Sequence, residues 1–256
     1  MGALESRLRT IRELDGKSFV PYVTGGLPGV DADLLRGLES AGADAIEVGV
    51  PHSDPIMDGG VIQEASRIAL EHGTHPGDVL DTIAAAELTV PAVVMTYVNP
   101  VLRTGYEAFC DALRAAGVVG VIVPDLPVDE AGDLTTLARE RSIDTVLLAA
   151  PGASPDRLDR IASNAEGFVY CVATYGVTGA RDELDASARG LVEALRTRTE
   201  TPLLLGVGIG TPEQAIDGCS FADGVIVGSA IVARLLDDGP GPALELARSF
   251  GTAIHD

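Results

Sequence analysis

Residues 44–51 read Asp-Ala-Ile-Glu-Val-Gly-Val-Pro, a short apolar run that contains one carboxylate and is closed by proline. Similar runs recur along the chain, and each is followed by apolar residues at helical spacing. The predicted strands are Phe19–Thr24, Ala45–Val50, Ala92–Tyr97, Val119–Val123, Thr145–Ala149, Phe168–Val172, Leu203–Gly206 and Gly224–Val227. Eight such units in 256 residues predict an α/β fold, the (β/α)8 or TIM barrel.

The segments between and after these strands predict helices. They are Ala32–Ala41, Ile62–His72, Gly77–Ala86, Tyr106–Ala116, Glu130–Arg141, Pro155–Asn164, Ala188–Arg198, Pro212–Asp217, Ser229–Leu236 and Ala243–Ile254. The charged, amphipathic first 14 residues predict an extra N-terminal helix. A doubly wound open sheet is the alternative, but residues 25–29 lack the GxGxxG turn typical of it. No composition shift divides the chain, so residues 1–256 are predicted to form a single (β/α)8 barrel domain.

Composition excludes several classes of partner. The formal net charge is −20, and tryptophan is absent. Nucleic-acid binding requires basic and stacking side chains, and an anionic membrane repels a protein of this charge, so neither partner is expected. No apolar run reaches the ~18 residues needed to cross a bilayer. Three widely spaced cysteines, Cys110, Cys171 and Cys219, suggest reduced thiols and a cytoplasmic location.

The inventory of basic residues also limits the chemistry. Lys17 is the only lysine and precedes the first predicted strand, which makes it a poor Schiff-base residue. The four histidines and three cysteines follow no metal-binding spacing. We therefore expect neither a metal nor a cofactor in this chain.

Glu47 is the first candidate catalytic residue. Side chains alternate along a strand, so Ala45, Glu47 and Gly49 share the face that points into the barrel. The structural alternative is a Glu paired with Arg, but no predicted strand carries an arginine. Burial should raise the pKa of Glu47 and suit it to general acid–base chemistry.

The long loop after this strand contains a second candidate, Asp58. Asp58 precedes Gly59 and Gly60 at the start of a helix, so helix capping and catalysis are both open. Three aromatic residues at or near strand ends, Tyr22, Tyr97 and Tyr170, could contact a flat apolar ligand, although core packing explains each one singly.

Glycine-rich segments follow the last three strands, at 176–179, 206–210 and 228–229. Loops after strands seven and eight of a barrel, together with a helix N-terminus, commonly bind phosphate. Backbone N–H groups supply such a site, so a strongly acidic protein can still take a phosphorylated ligand. Asn99, Asp125 and Pro127, on loops after other strands, could meet substrate or a partner.

Five segments together resemble a known family. EVGVPHSDPIMDG, MTYVNP, PDLPVDE, GVTGAR and GVIVGSAIV are similar, in this order, to signature segments of tryptophan synthase α chains, from about residue 6 to residue 250. The resemblance implies cleavage of indole-3-glycerol phosphate to indole and glyceraldehyde 3-phosphate. It also implies a β-chain partner, in an α2β2 heterotetramer, that takes the indole and uses pyridoxal phosphate, which this chain would not bind.

The resemblance carries roles to individual residues. Glu47 and Asp58 match the catalytic pair, Tyr170 an active-site tyrosine, and Thr178 the threonine that positions the Asp. The expected substrate-binding residues are Tyr22, Tyr97, Tyr170 and Thr178. The segments that bind phosphate in the family correspond to Gly179, Gly206, Val207, Gly208, Gly228 and Ser229. The surface expected to meet the partner comprises Asp54, Pro55, Asn99, Asp125 and Pro127.

Three departures from the family pattern stand in this chain. Gly60 replaces the usual proline after Asp-Gly, Leu27 stands where many members have Asp, and residues 173–175 read Ala-Thr-Tyr in the segment expected to form a lid. A stand-alone lyase that releases indole and a non-catalytic, α-like activator of a β chain therefore remain alternatives to the α subunit.

Overall fold

The computed structural model describes residues 1–172, 186–206 and 208–256. Eight parallel strands, hydrogen-bonded in chain order from β1 to β8 and back to β1, form a closed barrel. The strands are β1 (Ser18–Thr24), β2 (Ile46–Gly49), β3 (Ala92–Met95), β4 (Val118–Ile122), β5 (Asp144–Ala149), β6 (Val169–Val172), β7 (Leu203–Gly206) and β8 (Gly224–Val227). The predicted (β/α)8 barrel is confirmed, with strand limits that differ by at most two residues.

Helices surround this barrel and bury their apolar faces against it. Within the described residues they are α1 (Ala3–Glu13), α2 (Ala32–Ser40), α3 (Gly60–Glu71), α4 (Pro76–Ala86), α5 (Val98–Thr104), α6 (Tyr106–Ala115), α7 (Gly132–Glu140), α8 (Pro155–Asn164), α9 (Ala186–Arg196), α10 (Pro212–Cys219), α11 (Ser229–Asp238) and α12 (Pro240–His255). The core is continuous from the strands to these helices, as in the stacking of Phe19 of β1 on Phe250 of α12 at 6.1 Å.

The extra helix α1 closes the N-terminal end of the barrel. Leu4 and Leu8 are buried there. Asp144, at the start of β5, accepts hydrogen bonds from the backbone N–H groups of Gly2 and Glu5, each at 3.0 Å. The carboxylate therefore caps α1 from another element and satisfies amides that the helix leaves unpaired.

Two further aspartates stabilise the same end. Asp44 accepts the N–H of Phe19 in β1, and Asp223 accepts the N–H of Leu203 in β7. The ring of His255, near the C-terminus, lies 3.0 Å from Asp44 and joins the last helix to this end of the barrel. Carboxylates at this end therefore hold backbone together, while those considered below lie at the opposite end.

One element, α5, differs from the sequence-based expectation. The prediction extended the third strand to Tyr97 and placed Asn99 on a loop, whereas β3 ends at Met95 and α5 begins at Val98. Tyr97 is the N-cap residue of α5 and Asn99 lies inside the helix. The Val98 N–H donates to Asp125, in the loop after β4, so the cap comes from a distant part of the chain that local sequence does not reveal.

Candidate active site

A cavity of about 220 Å³ opens at the carboxyl ends of the strands. Its wall includes Tyr22 of β1, Glu47 of β2, Asp58 of the following loop, Tyr170 of β6, and Gly228 and Ser229 at the start of α11. The structure therefore brings both candidate carboxylates, two of the candidate tyrosines and a helix N-terminus to one chamber. Active sites of (β/α)8 barrels lie at this end.

Glu47 points into the barrel, as the alternation along β2 predicts. It is 1% exposed and lies beside Tyr22 in the register of β1 and β2. Its Oε2 atom has no hydrogen-bond partner among the described residues. Burial, followed by the nearby charge of Asp58, raises the pKa of Glu47 from 4.5 to about 8. A group with this pKa can both donate and accept a proton near neutral pH.

Asp58 occupies the loop between β2 and α3 and is held by Tyr97. The Tyr97 hydroxyl donates to Asp58 Oδ2 at 3.1 Å and accepts the N–H of Met57 at 3.0 Å. Burial raises the pKa of Asp58, and the Tyr97 hydrogen bond and the charge of His52 oppose that rise. The N-cap of α3 is Gly59 rather than Asp58, and the Asp58 carboxylate accepts from Tyr97, which favours a functional role over capping.

Tyr97, an expected substrate-binding residue, lies next to the cavity wall and is not one of its lining residues. Its ring is stacked on His52, with ring centroids 4.7 Å apart. Its hydroxyl donates to Asp58, which does line the cavity. The Tyr97 side chain, two residues after the end of β3, therefore contacts the Asp58 carboxylate.

Tyr22 and Tyr170 form apolar walls, and glycines make room for them. A Cβ atom on Gly49 would lie 2.1 Å from the Tyr22 hydroxyl oxygen, and one on Gly206 would lie 2.2 Å from Cζ of Tyr170. Burial raises the pKa of both tyrosines above the ordinary value of 10, so both are neutral phenols. The space between them suits a flat aromatic ligand.

A part of the chamber wall beside Tyr22 suits an anion. Gly228 is the N-cap of α11, where no side chain caps the helix, and both Gly228 and Ser229 lie on the cavity wall. The backbone N–H groups of the first turn are therefore available to an anion at this place. Gly208 and Ile209 complete this side. The N-terminus of the neighbouring helix α10 differs because side chains cap it. The Thr211 hydroxyl accepts the N–H of Gln214, and the Gln214 side chain accepts the N–H groups of Gly210 and Thr211.

The expected phosphate segments are therefore brought together only in part. Gly208, Gly228 and Ser229 lie on the cavity wall, whereas Gly206 is buried against the Tyr170 ring and does not line it. Glycine required for close packing and glycine required for anion binding look alike in sequence. Thr178, Gly179, Val207 and the expected lid at 173–175 lie outside the described residues.

Beside the cavity mouth, the expected partner residues lie on one end of the barrel. Asp54 and Asn99 are exposed and Pro55, Asp125 and Pro127 half-buried. Sequence analysis missed two large apolar side chains on the same elements, Ile56 in the loop and Leu102 in α5, which are 79% and 58% exposed. Exposed apolar side chains beside a cavity are typical of a contact surface, and their exposure can be determined only from the structure.

These features define an acid–base enzyme built on a (β/α)8 barrel, with two carboxyl groups and two tyrosines on the wall of one chamber. The family model described as Tryptophan synthase alpha chain matches residues 8–250. The chain belongs to the tryptophan synthase alpha chain family, which confirms the resemblance found in the sequence.

Individual relatives agree over the whole length. The tryptophan synthase alpha chain of Microcystis aeruginosa is 40% identical over 264 residues, covering 100% of both chains. That of Gloeobacter violaceus is 47% identical over 238 residues, covering 91% of this chain and 86% of its own. A chain in a structure of Mycobacterium tuberculosis tryptophan synthase superposes with a TM-score of 0.92 at 36% identity, covering 100% of this chain and 99% of that chain.

Two further features concern residues 1–172, 186–206 and 208–256. No helix there is long and apolar enough to cross a membrane. No group of three or more His, Cys, Asp or Glu side chains in the same part of the chain could hold a metal ion.

Proposed function

We propose that Glu47 and Asp58 carry out the lyase reaction of this family in this chain, the cleavage of indole-3-glycerol phosphate to indole and glyceraldehyde 3-phosphate. The observation that carries the proposal is the buried, unpaired Glu47 carboxyl beside Asp58 in a chamber with aromatic walls. An uncompensated buried carboxyl costs stability, and a proton-transfer role gives a reason for keeping it there.

The reaction needs one group that transfers protons and one group that accepts a hydrogen bond from the indole N–H. Protonated Glu47 gives its proton to C3 of the indole ring, which becomes a cationic indolenine. The Glu47 carboxylate then takes the proton of the adjacent glycerol hydroxyl. The C–C bond breaks, its electrons return to the ring, and indole and the aldehyde form, with Glu47 again protonated.

Asp58 supplies the negative charge that these reaction steps require. Its carboxylate accepts the ring N–H, and its negative charge stabilises the positive charge that develops on the ring nitrogen. The Tyr97 hydrogen bond opposes the effect of burial on the pKa of Asp58 and so favours the ionised form. Loss of either carboxyl should slow cleavage on the order of 10²–10⁴-fold.

The substrate's phosphate is assigned to the N-terminus of α11. Gly228 and Ser229 present backbone N–H groups there, and the helix dipole favours an anion. The indole ring lies between Tyr22 and Tyr170. Gly208 and, outside the described residues, Gly179 and Val207 belong to the same proposal.

We further propose that the chain acts as an α subunit and passes indole to a β chain, which uses pyridoxal phosphate, in an α2β2 assembly. Solved relatives are described as tryptophan synthase, including an aminoacrylate-bound form from M. tuberculosis. The contact surface comprises Asp54, Pro55, Asn99, Asp125 and Pro127, extended by Ile56 and Leu102. A single domain over residues 1–256 and a cytoplasmic location complete the proposal, and three buried, unpaired cysteines support that location.

The test measures indole release from indole-3-glycerol phosphate by the purified chain, with and without a β chain. Slow release that the β chain accelerates supports the proposal. Fast release that is indifferent to the β chain supports a stand-alone lyase, and no release in either case supports a non-catalytic activator.

A pair of variants tests the contact surface. Leu102→Asp should abolish the acceleration by the β chain and leave cleavage by the chain alone within about twofold, because a rim side chain outside the cavity is replaced. The matched control is Leu14→Asp, since Leu14 is 79% exposed near the closed end of the barrel. Equal acceleration of both variants would contradict this surface.

A further inference from the structure

Asp125 forms a hydrogen bond that its place on the expected partner surface does not explain. Its Oδ1 atom accepts the N–H of Val98, the first residue of α5, at 2.8 Å. Asp125 belongs to the loop between β4 and α7, and Val98 follows β3, so the bond joins two neighbouring loops across the open end of the barrel.

This bond fixes the start of α5. The N-cap residue, Tyr97, supplies no side-chain cap, because its ring points away from the helix toward the β2 loop. An N–H group in the first helical turn has no partner within its own helix, so an acceptor from another segment stabilises the start of the helix. The Asp125 carboxylate therefore sets where the backbone of residues 97 and 98 lies.

The backbone of Tyr97 in turn sets where its hydroxyl lies. That hydroxyl is joined to Asp58 Oδ2 and to the N–H of Met57, so one side chain ties α5 to the loop that holds the catalytic carboxylate. The path from Asp125 to Asp58 thus consists of two hydrogen bonds, joined by the backbone of residues 97–98 and the Tyr97 side chain, all among described residues.

We propose that Asp125 is a positioning residue for Asp58, acting through the N-terminus of α5 and the Tyr97 hydroxyl. Asp125 does not line the cavity and has no contact with substrate in this account. The inference rests on the proposed function of Asp58, and it adds that a residue on the partner-facing loop controls the geometry of that site.

Kinetics of the chain alone, without a β chain, separate this role from partner binding. Asp125→Ala should lower kcat for indole release about five- to tenfold, because Asp58 is then placed less accurately against the substrate ring, and should change KM less than twofold. Asp125→Asn keeps an acceptor oxygen for Val98 and should retain at least half of the activity. Asp129→Ala removes the same charge from the same loop, where Asp129 pairs with Arg160, and is the matched control.

A double-mutant cycle tests the path. In a Tyr97→Phe background the effect of Asp125→Ala should fall below twofold, because the link to Asp58 is already broken. Additive losses, or equal losses in the Asn and Ala variants, would overturn the proposal. Thermal unfolding confirms that each variant is folded.

A readout independent of turnover is the titration of the Asp58 carboxyl by carbon NMR. The charged and titratable groups that face it are Glu47, His52, Tyr22, Tyr97 and Tyr170. Because the Tyr97 hydrogen bond lowers the pKa of Asp58, Asp125→Ala should move the Asp58 midpoint upward and Asp129→Ala should not. An unmoved midpoint would refute the positioning role even if the chain cleaves substrate. A moved midpoint in a chain without lyase activity would instead refute the proposed function.

Discussion

The ring of Tyr170 lies where a side chain at position 206 would have to be, because a Cβ on Gly206 would come within 2.2 Å of its Cζ and hydroxyl oxygen. Tyr170 is a residue of β6 on the cavity wall, and Gly206 ends the adjacent strand β7. The shape of the chamber therefore depends on a glycine that is not part of its surface.

Gly206→Ala should displace Tyr170 into the cavity. Overpacking of this kind costs about 1–3 kcal/mol. We expect a higher KM for indole-3-glycerol phosphate and a fall in Tm of roughly 2–4 °C per kcal/mol for a chain of this size. Steady-state kinetics and thermal unfolding measure both effects.

The control for this variant is Gly190→Ala in α9. A Cβ there meets no atom within 4 Å, so alanine should instead stabilise the helix by about 0.5–1 kcal/mol and leave KM unchanged. Normal KM and Tm in Gly206→Ala would show that Tyr170 does not depend on this glycine.

Gly60→Pro should stabilise the protein and leave the catalytic pair in place. Gly60 is the first residue of α3, where proline is well tolerated, and Gly59 before it has φ −72° and ψ 163°, which suit a residue preceding proline. A Cβ on Gly60 meets no atom within 4 Å. The expected gain is about 0.4–1 kcal/mol by denaturant unfolding, with kcat within twofold.

Gly73→Ala provides the contrast. Gly73 also has open space around it, but its φ is +81°, so a side chain is strained there and should cost roughly 1–2 kcal/mol. If Gly60→Pro were as destabilising as Gly73→Ala, the backbone described for the start of α3 would be wrong.

Glu47→Gln should lower the rate of cleavage and raise the Tm at high pH. The pKa of Glu47 is about 8 in the folded chain against an ordinary 4.5, so the folded state binds the extra proton between these values and stability falls as pH rises through this window. Glutamine does not ionise. The variant should therefore have a higher Tm than the parent at pH 8.5 and a similar Tm at pH 4.5.

Glu64→Gln, at an exposed position of α3, is the control and should not show a rising Tm advantage between these pH values. A Glu47→Gln variant whose Tm difference from the parent is the same at both pH values would contradict the raised pKa.

His255 should stabilise the closed end of the barrel only while it is protonated. Its ring lies 3.0 Å from Asp44, and that hydrogen bond raises the pKa of His255 above 6.5, with Arg7 opposing and Asp256 supporting the rise. The contribution is complete below pH 6.5 and is lost as pH rises through the raised pKa.

His255→Asn should therefore lower Tm at pH 6 and have little effect at pH 9. The effect should remain below about 1 kcal/mol, because the His255 side chain is 38% exposed and its ion pair is screened by solvent. Equal destabilisation at both pH values would show that packing, rather than charge, holds this end together.

The barrel and the position of Glu47 were predictable because both follow from period-two alternation and from counting strand-helix units. The sequence also indicated that Glu47 has no arginine partner, and the structure leaves its Oε2 atom unpaired among the described residues. Both predictions rest on patterns of neighbouring residues, which can be read without knowing the contacts between distant segments.

The rest depended on contacts between distant segments. Helix α5 is capped by Asp125 from the next loop, so residues 98–104 give no local start signal and Tyr97 was assigned to a longer strand. Gly206 was expected to bind phosphate from the family resemblance, and its close contact with the Tyr170 ring, which joins two strands distant in the chain, could not be read from the sequence. The exposure of Ile56 and Leu102 beside the cavity could not be predicted, because it depends on how the loop and α5 pack in the folded chain.

The most direct measurement is single-turnover cleavage of indole-3-glycerol phosphate by the chain and by its Glu47→Gln variant, with substrate affinity determined by calorimetry. The account predicts that the variant binds substrate within a few-fold of the parent and releases indole at least about 10²-fold more slowly. Near-normal cleavage by folded Glu47→Gln protein would contradict the assignment of Glu47 as the proton-transfer group.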